Sequence, residues 1–242
     1  MLAEERDPRL KRLEFEVRAT GVKLEQMSPL RSGIHTRGYL PHVKREGASY
    51  FVTFRLADSL PKEVFYKIQR ERASRLACLA ALQPTPSSTH APAATTDTPQ
   101  QIERDYFRKV EEYLDRGIGP CWLRRPEVAG LVSGALKYFD GERYLLRAWV
   151  VMPTHVHAVL WPMPNYSLST IVKSWKGFTA HEINKLIGRS GRSFWQPEAY
   201  DRWIRNEVEH DRCCRYVIHN PVKARLCRLA SDWQWSSAWP TP

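Results

Sequence analysis

The chain has 242 residues, 43% hydrophobic and 11% aromatic, enough apolar surface for a sizeable core and too much for a disordered polyelectrolyte. Lys and Arg number 37 against 26 Asp and Glu, and the resulting charge of +11 favours a polyanionic partner such as nucleic acid, with a merely soluble basic protein as the plain alternative. Five cysteines without CxxC spacing argue against a disulfide framework and fit a reducing compartment, while the charged start of the chain and the lack of any run near the roughly 18 apolar residues of a membrane span point to a cytoplasmic protein with no membrane partner.

Residues 1–36 are strongly charged, with a possible helix from Arg9 to Glu16 and no apolar stripe, and read as a loosely attached tail. Ser49 to Leu56 is rich in aromatic and β-branched residues and reads as the first strand, central in its sheet. Leu60-Pro61 starts a helix carrying Val64, Ile68, Leu76 and Leu79. Residues 83–100 are mostly Pro, Thr, Ser and Ala, with almost no charge and no large apolar group, which leaves them nothing to bury. They read as an insert in one domain spanning 37–239, because a helical pattern resumes at Ile102, Tyr106, Val110 and Tyr113.

A further amphipathic helix runs over 126–139, and strands follow at 144–152 and 156–161, broken at Pro153-Thr154 and reading as an antiparallel pair. In the second of these His155 and His157 alternate with Val156, so both imidazoles leave one face of a strand while Val156 and Val159 are available to a core. Ser167 suits the cap of a helix with Leu168, Ile171, Val172, Trp175, Phe178, Ile183 and Leu186 on its apolar side. Asn206 caps the last main helix, Glu209 completes a capping-box pattern, and Pro221 stops it. Tyr216 and Asn220 share one face there with Glu209 and Arg212 nearby, and Cys214 and Ile218 are left to face the core. The order of elements suggests an α+β fold with a ferredoxin-like antiparallel sheet and helices on one face.

Two imidazoles on one strand face are half of a divalent-metal clamp, and equally a pair of surface or backbone-satisfied histidines. A phenol beside basic residues suits attack on a phosphodiester, and two histidines with the Asn220 amide oxygen suit a hard cation such as Mg²⁺ or Mn²⁺. Tyr216 as a core-edge residue and Asn220 as a helix terminator fit the same residues.

The blocks Val150-Val151-Met152-Pro153 with His155-Val156-His157, Phe194-Trp195-Gln196, Tyr216 to Ala224 and Asp232 to Trp239 resemble, in order, those of REP-associated tyrosine transposases, single-tyrosine members of the HUH superfamily. The resemblance implies an HUH nuclease fold and metal-dependent cleavage and strand transfer on single-stranded hairpin (REP-like) DNA through a 5′-phosphotyrosine link. His155, His157 and Asn220 take the place of the metal ligands and Tyr216 that of the nucleophile, with His219 as a competing ligand. Lys173, Lys176, Arg202, Arg205, Arg212, Arg215 and Lys223, with Arg225 and Arg228, are candidate phosphate contacts. The expected partner is single-stranded or hairpin DNA, and the expected state is a monomer or homodimer, nucleoid-associated when bound to DNA. A hairpin-binding regulator without cleavage activity, and a hydrolase using water, are the alternatives.

Overall fold

The computed structural model describes residues 32–37, 40–45, 47–81 and 97–240, the first two stretches as backbone only. The expected helix from Arg9 to Glu16, the rest of the tail up to residue 31, position 82 and positions 83–96 of the expected insert lie outside the described residues. The described chain forms two compact units, one containing residues up to Ala57 together with those from Trp122 onward, the other Asp58–Cys121.

In the first unit a hairpin of β1 (Ser32–Arg37) and β2 (Leu40–Arg45) precedes β3 (Tyr50–Arg55), so the strand expected to be first is the third. Ser32–Arg45 offers little apolar alternation, and backbone pairing needs none. β3 lies between β5 (His155–Pro162) and β6 (Tyr200–Trp203), and β4 (Tyr144–Val151) pairs with the far side of β5, giving the antiparallel order β4-β5-β3-β6 among the described residues. The pair expected over 144–161 is therefore present, as is the inner position of β3.

One face of this sheet is apolar. Val52 and Phe54 of β3, Trp149 and Val151 of β4, and Val156, Ala158 and Leu160 of β5 pack with Val128, Val132 and Leu136 of α3 (Pro126–Lys137) and with Ile171, Trp175 and Ile183 of α4 (Leu168–Leu186). Val159 was expected beside Val156, but the period of two puts it with the histidines, and its place in this core is taken by Ala158 and Leu160. Phe178 and Leu186, expected on the buried side of α4, are about half exposed because Ile171, Trp175 and Ile183 set a stripe that excludes them. Ser167 caps α4 as expected, its hydroxyl accepting from the Thr170 amide at 3.2 Å.

Tyr144 ties the layers together. Its hydroxyl donates to the Leu136 carbonyl at 2.8 Å and accepts from Trp175 Nε1 at 2.9 Å, and burial pushes the phenol above its ordinary pKa. The outer edge of β4 is covered by the segment near the end of the described chain. There Val151 N donates to Trp235 O at 2.8 Å, Ser237 N to Trp149 O at 2.9 Å, and Trp233 Nε1 to Val151 O at 3.0 Å.

The second unit pairs α1 (Lys62–Ala81) with α2 (Pro99–Asp115). α1 buries Ile68 and is otherwise held by charge, with Arg72 on Glu103 and Arg75 on both Asp97 (2.7 Å) and Asp105 (3.0 Å). α2 buries Ile102, Tyr106, Val110, Glu111 and Leu114, so Leu114 rather than Tyr113 closes the stripe. The resumption of helical pattern at Ile102 is thus the second arm of a helical pair. Asp97 bonds Arg75, Thr98 caps α2 and Pro99 opens it, so the expected insert ends before 97 rather than at 100. No helix among the described residues is long and apolar enough to cross a membrane.

Two outcomes follow from this packing. Tyr144→Phe leaves the Trp175 N–H and the Leu136 carbonyl without their shared partner and costs roughly 1–3 kcal/mol in urea unfolding, since a buried group stripped of its partner keeps its desolvation cost. Deleting 83–96 leaves the melting temperature near that of the parent, because those residues carry no large apolar side chain and loop closure depends weakly on length. Extending the deletion to 100 lowers it, by loss of the Thr98 cap and the Asp97–Arg75 pair.

Candidate functional site

β5 delivers His155 and His157 to the sheet face opposite α3 and α4, and both are fully buried. The strand is fixed at its start by Met152 N donating to His155 O at 2.8 Å and by Leu56 N donating to Thr154 O at 2.9 Å. The two Nε2 atoms converge to 3.0 Å, with ring centroids 4.6 Å apart. Each Nδ1 meets a threonine hydroxyl, Thr53 Oγ1 at 2.7 Å for His157 and Thr154 Oγ1 at 2.9 Å for His155. Two nitrogens at this separation share one proton when no cation is bound. They also fit a cation, because two ligands at about 2.1 Å and a right angle to each other lie about 3 Å apart.

α5 (Glu207–Lys223) crosses this same face. Asn206 Oδ1 accepts from Glu209 N at 2.9 Å, which is one half of the expected capping box. The other half differs: the Glu209 carboxylate accepts from Arg205 N at 2.8 Å and pairs with Arg202 instead of taking the Asn206 amide. The buried stripe is Cys213, Val217, Asn220 and Pro221, whereas Cys214 and Ile218, expected to face the core, are only half-buried. The helix is therefore docked by the side next to Tyr216. Pro221, expected to stop the helix, sits inside its last turn, where its fixed φ is already helical. Termination comes at Arg225, with φ of 58°, and Leu226 N donates back to Pro221 O at 2.8 Å.

This docking brings Tyr216 to the histidines. Its half-buried ring stands edge-on to His157 at 5.5 Å and to Phe51 at 5.8 Å, and Phe51 stacks on His157 at 5.6 Å. One turn further along α5, Asn220 is fully buried, and neither atom of its amide has a hydrogen-bond partner among the described residues. A buried amide left this way carries a desolvation cost that a ligand on its oxygen would offset. Two imidazole nitrogens 3.0 Å apart are donors a divalent cation accepts, so the histidine pair fits such an ion, and the buried Asn220 amide oxygen is of a donor type it also takes. His219 is exposed, and its Nδ1 lies 3.0 Å from the Arg215 carbonyl, which turns the ring away from the buried stripe of α5. Thr53, Thr154 and Phe51 went unnoticed in the sequence. Only Thr154, adjacent to His155, carried any signal there; Thr53 and Phe51 need the β3–β5 register, which sets Thr53 opposite His157.

The basic candidates divide. Lys223 places Nζ 5.5 Å from the centre of the Tyr216 ring, and Lys173, Arg212, Arg215, Arg225 and Arg228 are exposed. Arg202 is committed to Glu209 and to Cys213 Sγ at 3.3 Å, and Arg205 lies over the Trp203 ring at 5.7 Å. Lys176 donates to the carbonyls of Gln196 at 2.7 Å and Pro197 at 2.6 Å, so it staples a loop.

The family described as "Transposase IS200 like" matches residues 135–220. A REP-associated tyrosine transposase of Escherichia coli (strain K12) is 30% identical over 94 residues, 38% of this chain and 53% of that protein. The chain resembles the REP-associated tyrosine transposases. It spans about half the length of that relative. A solved structure titled "Structure of the REP associates tyrosine transposase bound to a REP hairpin" is similar at a TM-score of 0.44 and 17% identity, covering 84% of this chain and 81% of that one. The family match contains His155, His157, Tyr216 and Asn220, while Phe51 and Thr53 lie before it.

The Lys176 staple has a measurable pH signature. Burial pushes its ammonium down to about 8 from an ordinary value near 10.5, with Glu198 opposing. The folded state therefore holds fewer protons than the unfolded chain between those two values, and stability gains from Lys176 as pH rises through that window. Below about 8 the cost of burying the charge is fully present. Urea unfolding at pH 7 and pH 10 will show the wild type gaining stability relative to Lys176→Met, and parallel curves would contradict the assignment.

Proposed function

We propose that the protein is a divalent-metal-dependent single-tyrosine endonuclease and strand transferase acting on single-stranded DNA that carries a hairpin. The observation that carries this reading is the packing of the Tyr216 ring against His157, one of a buried pair of histidines whose Nε2 atoms meet at 3.0 Å. The match of residues 135–220 to IS200-like transposases, and the chain's likeness to a relative named for its tyrosine and its REP association, support it.

His155, His157 and Asn220 would hold the cation. A bound Mg²⁺ or Mn²⁺ supplies Lewis-acid polarisation of the scissile phosphate at that position. Tyr216 is the nucleophile: its oxygen forms a bond to phosphorus, its proton passes to solvent, and the bond from phosphorus to the 3′ oxygen breaks. The leaving oxygen takes up a proton and departs as a free 3′-hydroxyl, while the 5′-phosphate stays on Tyr216. The phosphodiester energy is kept in that link, so a 3′-hydroxyl is able to attack it and rejoin the strand without another energy source. Phe51 and His157 hold the phenol ring edge-on, and Lys223 adds positive charge beside it. Lys173, Arg212 and Arg215 are exposed cations available to a phosphate backbone.

The test uses hairpin oligonucleotides with single-stranded flanks, labelled on either side of the cut, in Mg²⁺ or Mn²⁺ on a denaturing gel. Label 3′ of the cut will migrate with protein and label 5′ of it will run free. Tyr216→Phe keeps the ring and will bind DNA without forming the adduct. His155→Ala or His157→Ala will lower cleavage by about 10²-fold or more while leaving hairpin binding largely intact, because the cation serves charge that develops in the transition state. An adduct surviving in Tyr216→Phe moves the nucleophile elsewhere, with Tyr200 the first alternative. Binding without any cleavage by the wild type favours the regulator, and cleavage without adduct favours water as nucleophile.

A further inference from the structure

A neutral imidazole carries one N–H and one lone pair, and the hydrogen bond at one nitrogen decides which the other nitrogen presents. In this site both Nδ1 atoms are engaged by hydroxyls and both Nε2 atoms face each other. We propose that Thr53 and Thr154 are positioning residues that hold His157 and His155 as Nδ1–H tautomers, so that both Nε2 lone pairs point at one divalent cation. This rests on the cation reading above and adds what fixes the ligands.

The two hydroxyls reach the histidines by independent routes. Thr53 stands on β3 directly across from His157 in the antiparallel register, and the hydroxyl is brought to Nδ1 by strand pairing. Thr154 precedes His155 in the turn out of β4, and its backbone carbonyl is fixed by Leu56 N. Both threonines are buried, Thr154 completely, and β-branching makes their χ1 stiff, so neither hydroxyl is free to be replaced by solvent. Threonine suits the position because its oxygen both accepts and donates. Without a cation, the single proton between the two Nε2 atoms forces one ring into the Nε2–H tautomer, whose Nδ1 then accepts from its threonine. When a cation arrives, that ring moves its proton to Nδ1 through solvent and its threonine turns from donor to acceptor. No side chain has to change rotamer. Valine has the same shape as threonine and allows neither role.

Mn²⁺ binding to the full chain, followed by the loss of the free-ion electron paramagnetic resonance signal, tests this without DNA or catalysis. The wild type will bind, and His155→Ala will not. Thr53→Val and Thr154→Val will each weaken binding by about 10–100-fold, the usual effect of removing a hydrogen-bond partner behind a metal ligand. Thr53→Ser and Thr154→Ser will restore it to within a few-fold of wild type, which a merely space-filling role does not predict. If the wild type takes up no Mn²⁺, the proposal falls together with the cation reading. If the wild type binds and the valine variants bind as tightly, the proposal falls alone. Should a valine variant fail to fold, ring ¹⁵N spectra of wild type with Mg²⁺ decide the matter: both imidazoles will be protonated at Nδ1, and an Nε2–H tautomer persisting with Mg²⁺ overturns the inference.

Discussion

The pairing of β3 with β5 is the constraint on which both halves of the first unit rest. Its register sets Val52, Phe54, Val156, Ala158 and Leu160 toward α3 and α4, and Phe51, Thr53, His155 and His157 toward α5. A slip of one residue would exchange the two sets, burying imidazoles in the aliphatic layer and turning valines toward the tyrosine. Core and site are thus specified by one ladder of backbone hydrogen bonds. The aliphatic layer enforces the register because any other one would expose or clash that whole set, and the histidine geometry is inherited from it.

That dependence explains what could be read from the sequence. His155-Val156-His157 announces its alternation locally, so the shared face of the histidines was legible, as were the caps at Ser167 and Asn206, where a side chain answers an amide three residues on. Which other residues share the histidine face was not legible. Thr53 lies 104 positions before His157, and only the fold says they meet. The misassigned face of α5 has a related cause: Cys214 and Ile218 look more apolar than Asn220 and Pro221, yet the latter two are buried, because the helix docks by the side next to Tyr216. Composition ranks helix faces by transfer energy and does not foresee a polar group that docking buries. The early hairpin was missed for a different reason, since pairing of β1 and β2 is a backbone property with little side-chain signature in Ser32–Arg45.

Charge needs the same separation between what the fold consumes and what it leaves. A formal +11 reads as one reservoir for binding phosphate, but part of it is internal. Lys176 is partly buried on two carbonyls, Arg202 is matched by Glu209, and Arg72 and Arg75 hold α1 to α2. Lys173, Arg212, Arg215 and Lys223 remain exposed on α4 and α5. An ion pair and a phosphate contact use the same side chains, and a sequence does not distinguish them until the counter-charge is located.

The strap over β4 has a bearing on how the protein is made. Trp233 reaches Val151 across 82 positions of chain, so the residues of β4 are synthesised well before those that cover its outer edge. During that interval the amide of Val151 and the carbonyl of Trp149 offer an open template to any extended chain nearby, including another nascent copy. The tryptophans and serines of 233–237 close that window from the same polypeptide. An intermediate in which 233–237 has not yet docked would carry the β4 edge uncovered, and that segment acts as the chain's own chaperone for it.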